Sequence, residues 1–476
     1  MSDDFKMEVF ETTELDSLAS DEIESDKESE EDRRVVGKSR LHGKIPSDWK
    51  ATTVNDVVES MADGGTPSRA GEEGYFGGEI NWVVVEDVEF EIVDSREKLT
   101  EKGLEASSAT LWPEGSVILT TGASIGNVGV AMVPTATKQG ITGMVPKHTI
   151  NSHFLARYLE ANGPLLNRYA QGTTIQEIRP YLLRKVELPC PPLPEQRKIA
   201  SVLYTVDQAI HKTETIIEQA KRVKRGMRQD LLSSGIGKSG VLRSNRKQSF
   251  DTRDEREWGE IPQSWDFKDL GKLCSVQAGY AFKSDWYREE GKVRVLRGAN
   301  VGYGAPDWSD ERHLESERVS EYSDYRLEEG DIIIGMDRPL TQLGFKISRI
   351  SEADLPALLV QRVGRFFPED CNPDYLYVLL NDWRYQKQVI RRGQGMDIPH
   401  ISKSDILAPK VPVPPLDEQR RIAKVYRNLL RKIEGENNLL DSYQRLKKGL
   451  MQDLLTGEVR TADKAIGVLD EVEAHG

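Results

Sequence analysis

Five short segments have residue types spaced as chemistry would need them, and none completes a reactive site. Thr121-Gly122-Ala123-Ser124-Ile125-Gly126-Asn127-Val128-Gly129 follows an apolar stretch with the glycine spacing of a dinucleotide-binding loop. Val130, Val133 and Pro134 come next instead of an amphipathic helix, so no helix N-terminus is available for a pyrophosphate and the segment reads as a turn between strands. Gly235-Ile236-Gly237-Lys238-Ser239 has the close of a phosphate loop, but the upstream glycine position is Leu232 and no strand leads into it. Pro191-Pro192 and Pro414-Pro415 lack the preceding acid or amide and the following aromatic with which an amino-methyltransferase holds a flipped base. Glu290-Gly291-Lys292 lacks the upstream Pro-Asp of a common nuclease site, and the seven histidines form no metal-type cluster. Cys190, Cys274 and Cys371 lie far apart, as buried small apolar residues in a reducing compartment would. The expectation is a chain that is no enzyme by itself, with no catalytic residues, no metal and no cofactor of its own.

The 476 residues are enough for two or more domains. No apolar run approaches the roughly 18 residues a membrane span needs, and the acidic start is unlike a signal peptide, so a cytoplasmic protein without a membrane partner is expected. The net charge of −13 is concentrated: residues 1–32 hold fourteen Asp/Glu against two Lys, leaving the rest of the chain almost neutral. With so few apolar groups, residues 1–34 read as a disordered acidic tail.

The elements that would position any site come in duplicate. Leu193-Pro194-Glu195-Gln196-Arg197-Lys198-Ile199-Ala200 recurs as Leu416-Asp417-Glu418-Gln419-Arg420-Arg421-Ile422-Ala423, an offset of 223 that also relates Gln229-Asp230-Leu231-Leu232 to Gln452-Asp453-Leu454-Leu455. Upstream, Gly172-Thr173-Thr174-Ile175 and Ile178 match Gly395-Met396-Asp397-Ile398 and Ile401, and Gly43–Trp49 answers Gly259–Trp265. Short strands broken by glycine are expected at Ile80–Val85, Ser116–Thr120, Val128–Val133, Val293–Arg297, Ile332–Ile334 and Leu358–Val363, with helices near His153–Asn162 and Pro373–Trp383. Each repeat is thus a Trp-marked opening, a β-rich domain, a proline hinge and a long helix.

Pro194, the acids of the first turns, and Gly235 and Gly457 past the ends bound each long helix, a rod of roughly 57 Å for about 38 residues. A heptad reading puts Ile199, Val202, Val206, Ala209, Thr213, Ile216, Ala220, Val223 and Met227 on one seam. At the same offset fall Ile422, Val425, Leu429, Lys432, Glu436, Leu439, Tyr443, Leu446 and Leu450, so an antiparallel pairing of the two helices is expected.

These segments together resemble the specificity subunit of type I restriction-modification systems. The resemblance rests on Pro191–Arg197 and Pro414–Arg420, on Gly64-Gly65-Thr66-Pro67-Ser68, Gly78–Trp82 and Asp87-Val88, and on Gly279-Tyr280-Ala281-Phe282 and Gly335-Met336-Asp337-Arg338. It covers about residues 43–460 and leaves out the acidic extension; the basic linker is also longer than the family pattern. It implies an α+β fold with two target-recognition domains in pseudo-two-fold tandem, separated by two long antiparallel coiled-coil helices. The parts would be the acidic tail 1–34, recognition domain 35–190, central spacer helix 191–235, basic linker 236–257, recognition domain 258–412, distal spacer helix 413–457 and C-terminal tail 458–476. It further implies double-stranded DNA as ligand, an asymmetric bipartite target whose gap the helices set, and two methyltransferase subunits that use S-adenosylmethionine. Up to two restriction/translocase subunits using ATP and Mg²⁺ would complete the assembly. The other class open to this sequence is a coiled-coil protein–protein interaction scaffold without DNA readout.

Base edges are read by loop side chains that donate and accept. Ser68, Arg69, Gln139, Thr173, Thr174 and Gln176 are the candidates in the first domain; Lys283, Arg338, Gln361, Arg362 and Gln394 are those in the second. Lys221, Arg222, Lys224, Arg225, Arg228, Lys238, Arg243, Arg246 and Lys247, with Asp230 the only acid among them, suit DNA phosphates or an acidic partner.

Overall fold

The computed structural model describes residues 45–68, 74–122, 124–167, 170, 177–243, 246–247, 252–337, 340–341, 344–392 and 400–461. It divides into two units, Met1–Lys212 with Leu440–Gly476, and Thr213–Leu439. The first unit is built from two stretches of chain and the second from one. Each takes one β-rich domain, the start of the helix that follows it and the end of the other long helix. The expected boundaries at 191, 236 and 413 therefore describe segments of chain, whereas the compact bodies share both helices.

In the first unit Lys50–Thr53 pairs antiparallel with Glu187–Cys190, so the chain entering the domain lies beside the chain leaving it. A five-stranded sheet runs in the order Val58–Asp63, Ile141–Pro146, Val117–Thr120, Val128–Ala131, Glu91–Ile92. A second sheet runs Glu97–Leu99, Phe76–Val83, Thr135–Thr137, Leu111–Trp112. Side chains alternate across a strand, and Val117–Thr120 is apolar on both faces because both are covered. Ile118 packs with Val83, Trp112 and Ile141, while Val117 and Leu119 pack with Phe154 and Leu155 of the helix Ser152–Ala161.

The second unit repeats this arrangement. Its sheets run Cys274–Ala278, Val363–Pro368, Ile332–Gly335, Ile347–Arg349, and Tyr287–Arg288, His313–Leu314, Arg294–Leu296, Ala357–Leu359. Ile333 faces Leu296 and Leu359, while Ile332 and Ile334 face the cluster that holds Tyr375 and Leu376. Two expectations need correction. Leu358–Val363 is not one strand, because the chain turns at Gln361 and Arg362 before restarting at Val363. The helix expected through Trp383 stops at Leu380, and a separate amphipathic helix, Trp383–Arg392, follows.

The long helices span Leu193–Ser234 and Leu416–Thr456. Within the first unit Ile199, Val202 and Leu203 share a cluster with Leu454 and Leu455, and Lys447 Nζ reaches Asp207 (2.9 Å). Within the second, Leu231 and Leu232 cluster with Ile422 and Tyr426. In both units rising numbers on one helix meet falling numbers on the other, so the segments run antiparallel.

The expected seam is half right. Ile199, Val202, Val206, Thr213 and Ala220 are buried, as is Ile422; Met227, Leu429 and Leu450 are half-buried. At the alternate positions the deepest burial lies one residue further on. Leu203, Ile210 and Ile217 are buried, Lys224 is half-buried, and Tyr426 and Ile433 are their buried counterparts. Val223, Leu439 and Leu446 are instead 50%, 41% and 48% exposed, Ile216 and Val425 are only half-buried, and Lys432 is exposed. The cause is a run of adjacent apolar pairs, Val202-Leu203, Ala209-Ile210 and Ile216-Ile217. Either member satisfies a period of 3.5, and in each pair the more deeply buried one is the second.

Candidate nucleic-acid interface

The repeated helix start builds the support. Gln196 is fully buried: its Oε1 accepts the Asn151 amide (2.7 Å) and its Nε2 donates to the Pro191 carbonyl (2.8 Å). Asn151 in turn caps the helix Ser152–Ala161 through its side chain. Gln419 repeats this with the Asn372 amide (2.8 Å) and the Pro414 carbonyl (2.9 Å), and Asn372 caps Pro373–Leu380. A buried amide must find partners for both ends, and here the partners lock the domain helix to the spacer helix.

The neighbouring glutamate forms a second tie. Glu195 accepts from Trp49 Nε1 (3.1 Å) and Arg460 Nε (2.7 Å). Glu418 accepts from Trp265 Nε1 (3.1 Å), the Ile236 amide (2.9 Å) and Arg243 Nη2 (2.9 Å). Each carboxylate joins the domain's tryptophan to the residues just past the end of the other helix. Gly235 and Gly457 turn there at φ 64° and 77°, and a Cβ on either would stand 3.2 Å or less from ring atoms of Trp265 or Trp49. Glycine is thus required twice over, by backbone conformation and by close approach.

At the loop end of the first unit, four segments interlock through backbone bonds. Gly64 and Gly65 amides donate to Ile141 and Thr137 carbonyls (2.9 Å each), Thr121 donates to Gly140 (2.9 Å), and Ile178 donates to Thr121 (2.8 Å). A Cβ on Gly64 would sit 2.3 Å from the Thr137 oxygen, which explains the glycine of the Gly-Gly-Thr-Pro-Ser segment. The second unit has the same four bonds: Gly279 to Val363 (3.0 Å), Tyr280 to Leu359 (3.1 Å), Met336 to Arg362 (2.9 Å) and Ile401 to Met336 (2.9 Å). Gln139 and Gln361, both exposed, occupy the same place on the two crests, beside Gly140 and Arg362.

The structure therefore brings Ser68 and Gln139 onto neighbouring exposed loops, and Lys283, Gln361 and Arg362 onto another such group. Arg69, Thr173, Thr174, Gln176, Arg338 and Gln394 lie outside the described residues, as does the acidic tail. Sequence reasoning missed three contributors. Tyr280 packs at 5.0 Å, 4.6 Å and 5.4 Å from Phe282, Tyr322 and Tyr325. Arg318 lies over Trp286 at 4.3 Å, on the ring that the candidate Lys283 also faces at 5.6 Å. Asp337 Oδ2 accepts from Arg362 Nη1 (3.0 Å). The legible signal was Gly279-Tyr280 aligned with Gly64-Gly65, which places an aromatic where the other domain has none.

The basic stretch divides in two. Arg228 pairs with Asp382 (3.5 Å) and Arg243 with Glu418, so these two serve the fold rather than a polyanion, contrary to expectation. Lys221, Arg222, Arg225 and Lys238 are exposed. Burial, then Arg228, Lys221 and Arg225, hold the Lys224 ammonium below its usual pKa, whereas its repeat counterpart Lys447 faces Asp207 and Glu160. On the first crest, burial raises the pKa of Asp63 against the lowering hydrogen bonds from Gly140, Gly64 and Thr142. Burial pushes the Cys274 and Cys371 thiols up to about 12, so neither is a thiolate near neutrality. Among the described residues no His, Cys, Asp and Glu form a group fit to hold a metal, and no helix is long and apolar enough to cross a membrane.

The family model for the type I restriction modification DNA specificity domain matches residues 46–222 and again 262–442. The MjaVIII specificity subunit of Methanocaldococcus jannaschii is 26% identical over 425 residues, 88% of this chain and 95% of its own length. The EcoAI specificity subunit of Escherichia coli is 36% identical over 171 residues, which is 36% of this chain and 29% of that one. Among solved structures, the type I restriction-modification S subunit from M. genitalium aligns with a TM-score of 0.54 at 19% identity, covering 88% of this chain and 98% of its own, a likeness of fold.

Proposed function

Since this chain belongs to the type I restriction modification DNA specificity family, we propose that it reads an asymmetric, two-part DNA target, one part with each crest. It is a specificity subunit, a non-catalytic component that recognises DNA and assembles in a complex. The observation that carries the two-part reading is the pair of crests. Four identical backbone hydrogen bonds present different side chains, so one scaffold addresses two different sequences. The family match gives no support to a coiled-coil scaffold without DNA readout.

Ser68, Arg69, Gln139, Thr173, Thr174 and Gln176 would face one half-site, and Lys283, Arg338, Gln361, Arg362 and Gln394 the other. Exposed Lys221, Arg222 and Arg225 would meet phosphates, which position the protein without reading sequence. The recognition domains would run over 35–190 and 258–412, in a cytoplasmic protein. Two methyltransferase subunits would supply S-adenosylmethionine chemistry, and two translocase-nuclease subunits, where present, ATP- and Mg²⁺-dependent cleavage. Family members themselves carry no such cofactor.

The test is duplex selection from a randomised pool by the full chain with its methyltransferase partner, repeated across salt concentrations. A motif of two unlike parts around a degenerate gap, with affinity falling steeply as salt rises, is the expected result. A single continuous motif, or two identical half-sites, would overturn the proposal.

A further inference from the structure

The geometry points to Arg362, oriented by Asp337, as the reader of a guanine in the second half-site for which the first half-site has no equivalent. This inference rests on the two-part reading of DNA given above and assigns one base within it. Three observations carry it.

Arg362 is the one non-glycine residue with positive φ among the described residues, at 63°. Its counterpart is Gly140 at φ 83°, which accepts the same hydrogen bond, from Thr121, that Arg362 accepts from Met336. A left-handed backbone disfavours any side chain. One copy of the duplicated turn has the unstrained residue and the other does not, and such strain gathers where a side chain is used.

The side chain is also aimed. Arg362 is 62% exposed, yet its Nη1 is held 3.0 Å from Asp337 Oδ2. An exposed ion pair stabilises a fold little, so the pair does not account for the strained turn. What it does is fix a long side chain in one direction. Among the described residues one of its five donors is engaged, which leaves the rest of the planar fork available to a ligand.

Finally, the ligand chemistry is narrow. A guanidinium fixed in this way matches the adjacent N7 and O6 acceptors of guanine in the major groove, the commonest specific arginine contact with a base. Phosphates would accept a lysine or an unsupported arginine equally well. The neighbouring Gln361 has its equal in Gln139, so the residue that distinguishes the two crests at this turn is Arg362 itself.

The experiment is duplex selection with the full chain and its methyltransferase partner, comparing wild type with R362K, R362G and D337N. Glycine is the residue the other copy carries, so R362G keeps the fold, and its unchanged or higher melting temperature verifies this. We expect one guanine of the second half-site to become degenerate in R362K and R362G, with preference at that position falling about 10- to 100-fold. D337N should weaken the same position less, because it removes orientation and leaves the donors. The first half-site should stay as it was. Motifs unchanged in R362K and R362G, or affinity reduced evenly for all sequences as a phosphate contact would give, would overturn the assignment. A wild-type chain that selects no two-part motif would instead sink the underlying reading, and this inference with it.

Discussion

The two helix junctions are near copies, whereas the two crests share a backbone and little else. At the junctions Glu195 and Glu418 each take a tryptophan indole and an arginine, and Gln196 and Gln419 each take the amide of a capping asparagine. At the crests Gly65 stands against Tyr280, Ser68 against Lys283, and Gly140 against Arg362. The difference teaches a division of labour: what holds a reading loop in place was kept after duplication, and what points outward from it was changed.

The junctions are not quite equal, and that inequality gives the largest expected effect. Glu418 is 1% exposed and has three donors from two segments, whereas Glu195 is 10% exposed and its arginine also reaches Asp48 (2.7 Å). Glu418→Ala strands a buried indole, an amide and a guanidinium, and should cost about 3–5 kcal/mol. Glu195→Ala should cost about 1–2 kcal/mol, since Arg460 keeps an acid. Urea unfolding of the full chain measures both, and equal losses would break the comparison.

The helix seam comes next. Leu203→Ala should cost about 2–5 kcal/mol by opening a cavity among buried neighbours, and Leu446→Ala should stay within about 0.5 kcal/mol. Similar losses for the two would return the seam to the register expected from the sequence.

The smallest effect separates the crests. Burial raises the Asp63 pKa above its ordinary value, and the second crest has Ala278 in the corresponding strand position. An acid whose folded pKa is raised binds its proton more tightly in the fold. Its contribution is therefore greatest below the unfolded value of about 3.9 and declines as pH climbs through the folded value. Asp63→Asn should raise the melting temperature near neutrality, and the curves should converge in acid. Parallel curves would mean that this carboxyl is not strained by burial.

Much of this was legible in the chain. Duplication at an offset of 223, helix starts at Leu193 and Leu416 and stops before Gly235 and Gly457 follow from local rules about caps, proline and glycine. The β-rich domains follow from apolar runs broken by turns. Adjacent apolar pairs could not be ordered, because a period of 3.5 accepts Val202 or Leu203 equally. Arg228 and Arg243 read as free cations because their acids, Asp382 and Glu418, stand far away in the chain. Arg362 was a candidate by type alone, and its left-handed backbone has no sequence signature.

The sequence by itself determined that there are two like units, each a β-rich domain with a long helix, since periodicity and capping act over a few residues. Tertiary structure alone decided which helix face is buried, which charges are spent on the fold, and which loops share a crest. Those outcomes depend on contacts between residues far apart in the chain, from Gly64 with Ile141 to Trp265 with Glu418, that local preference cannot register.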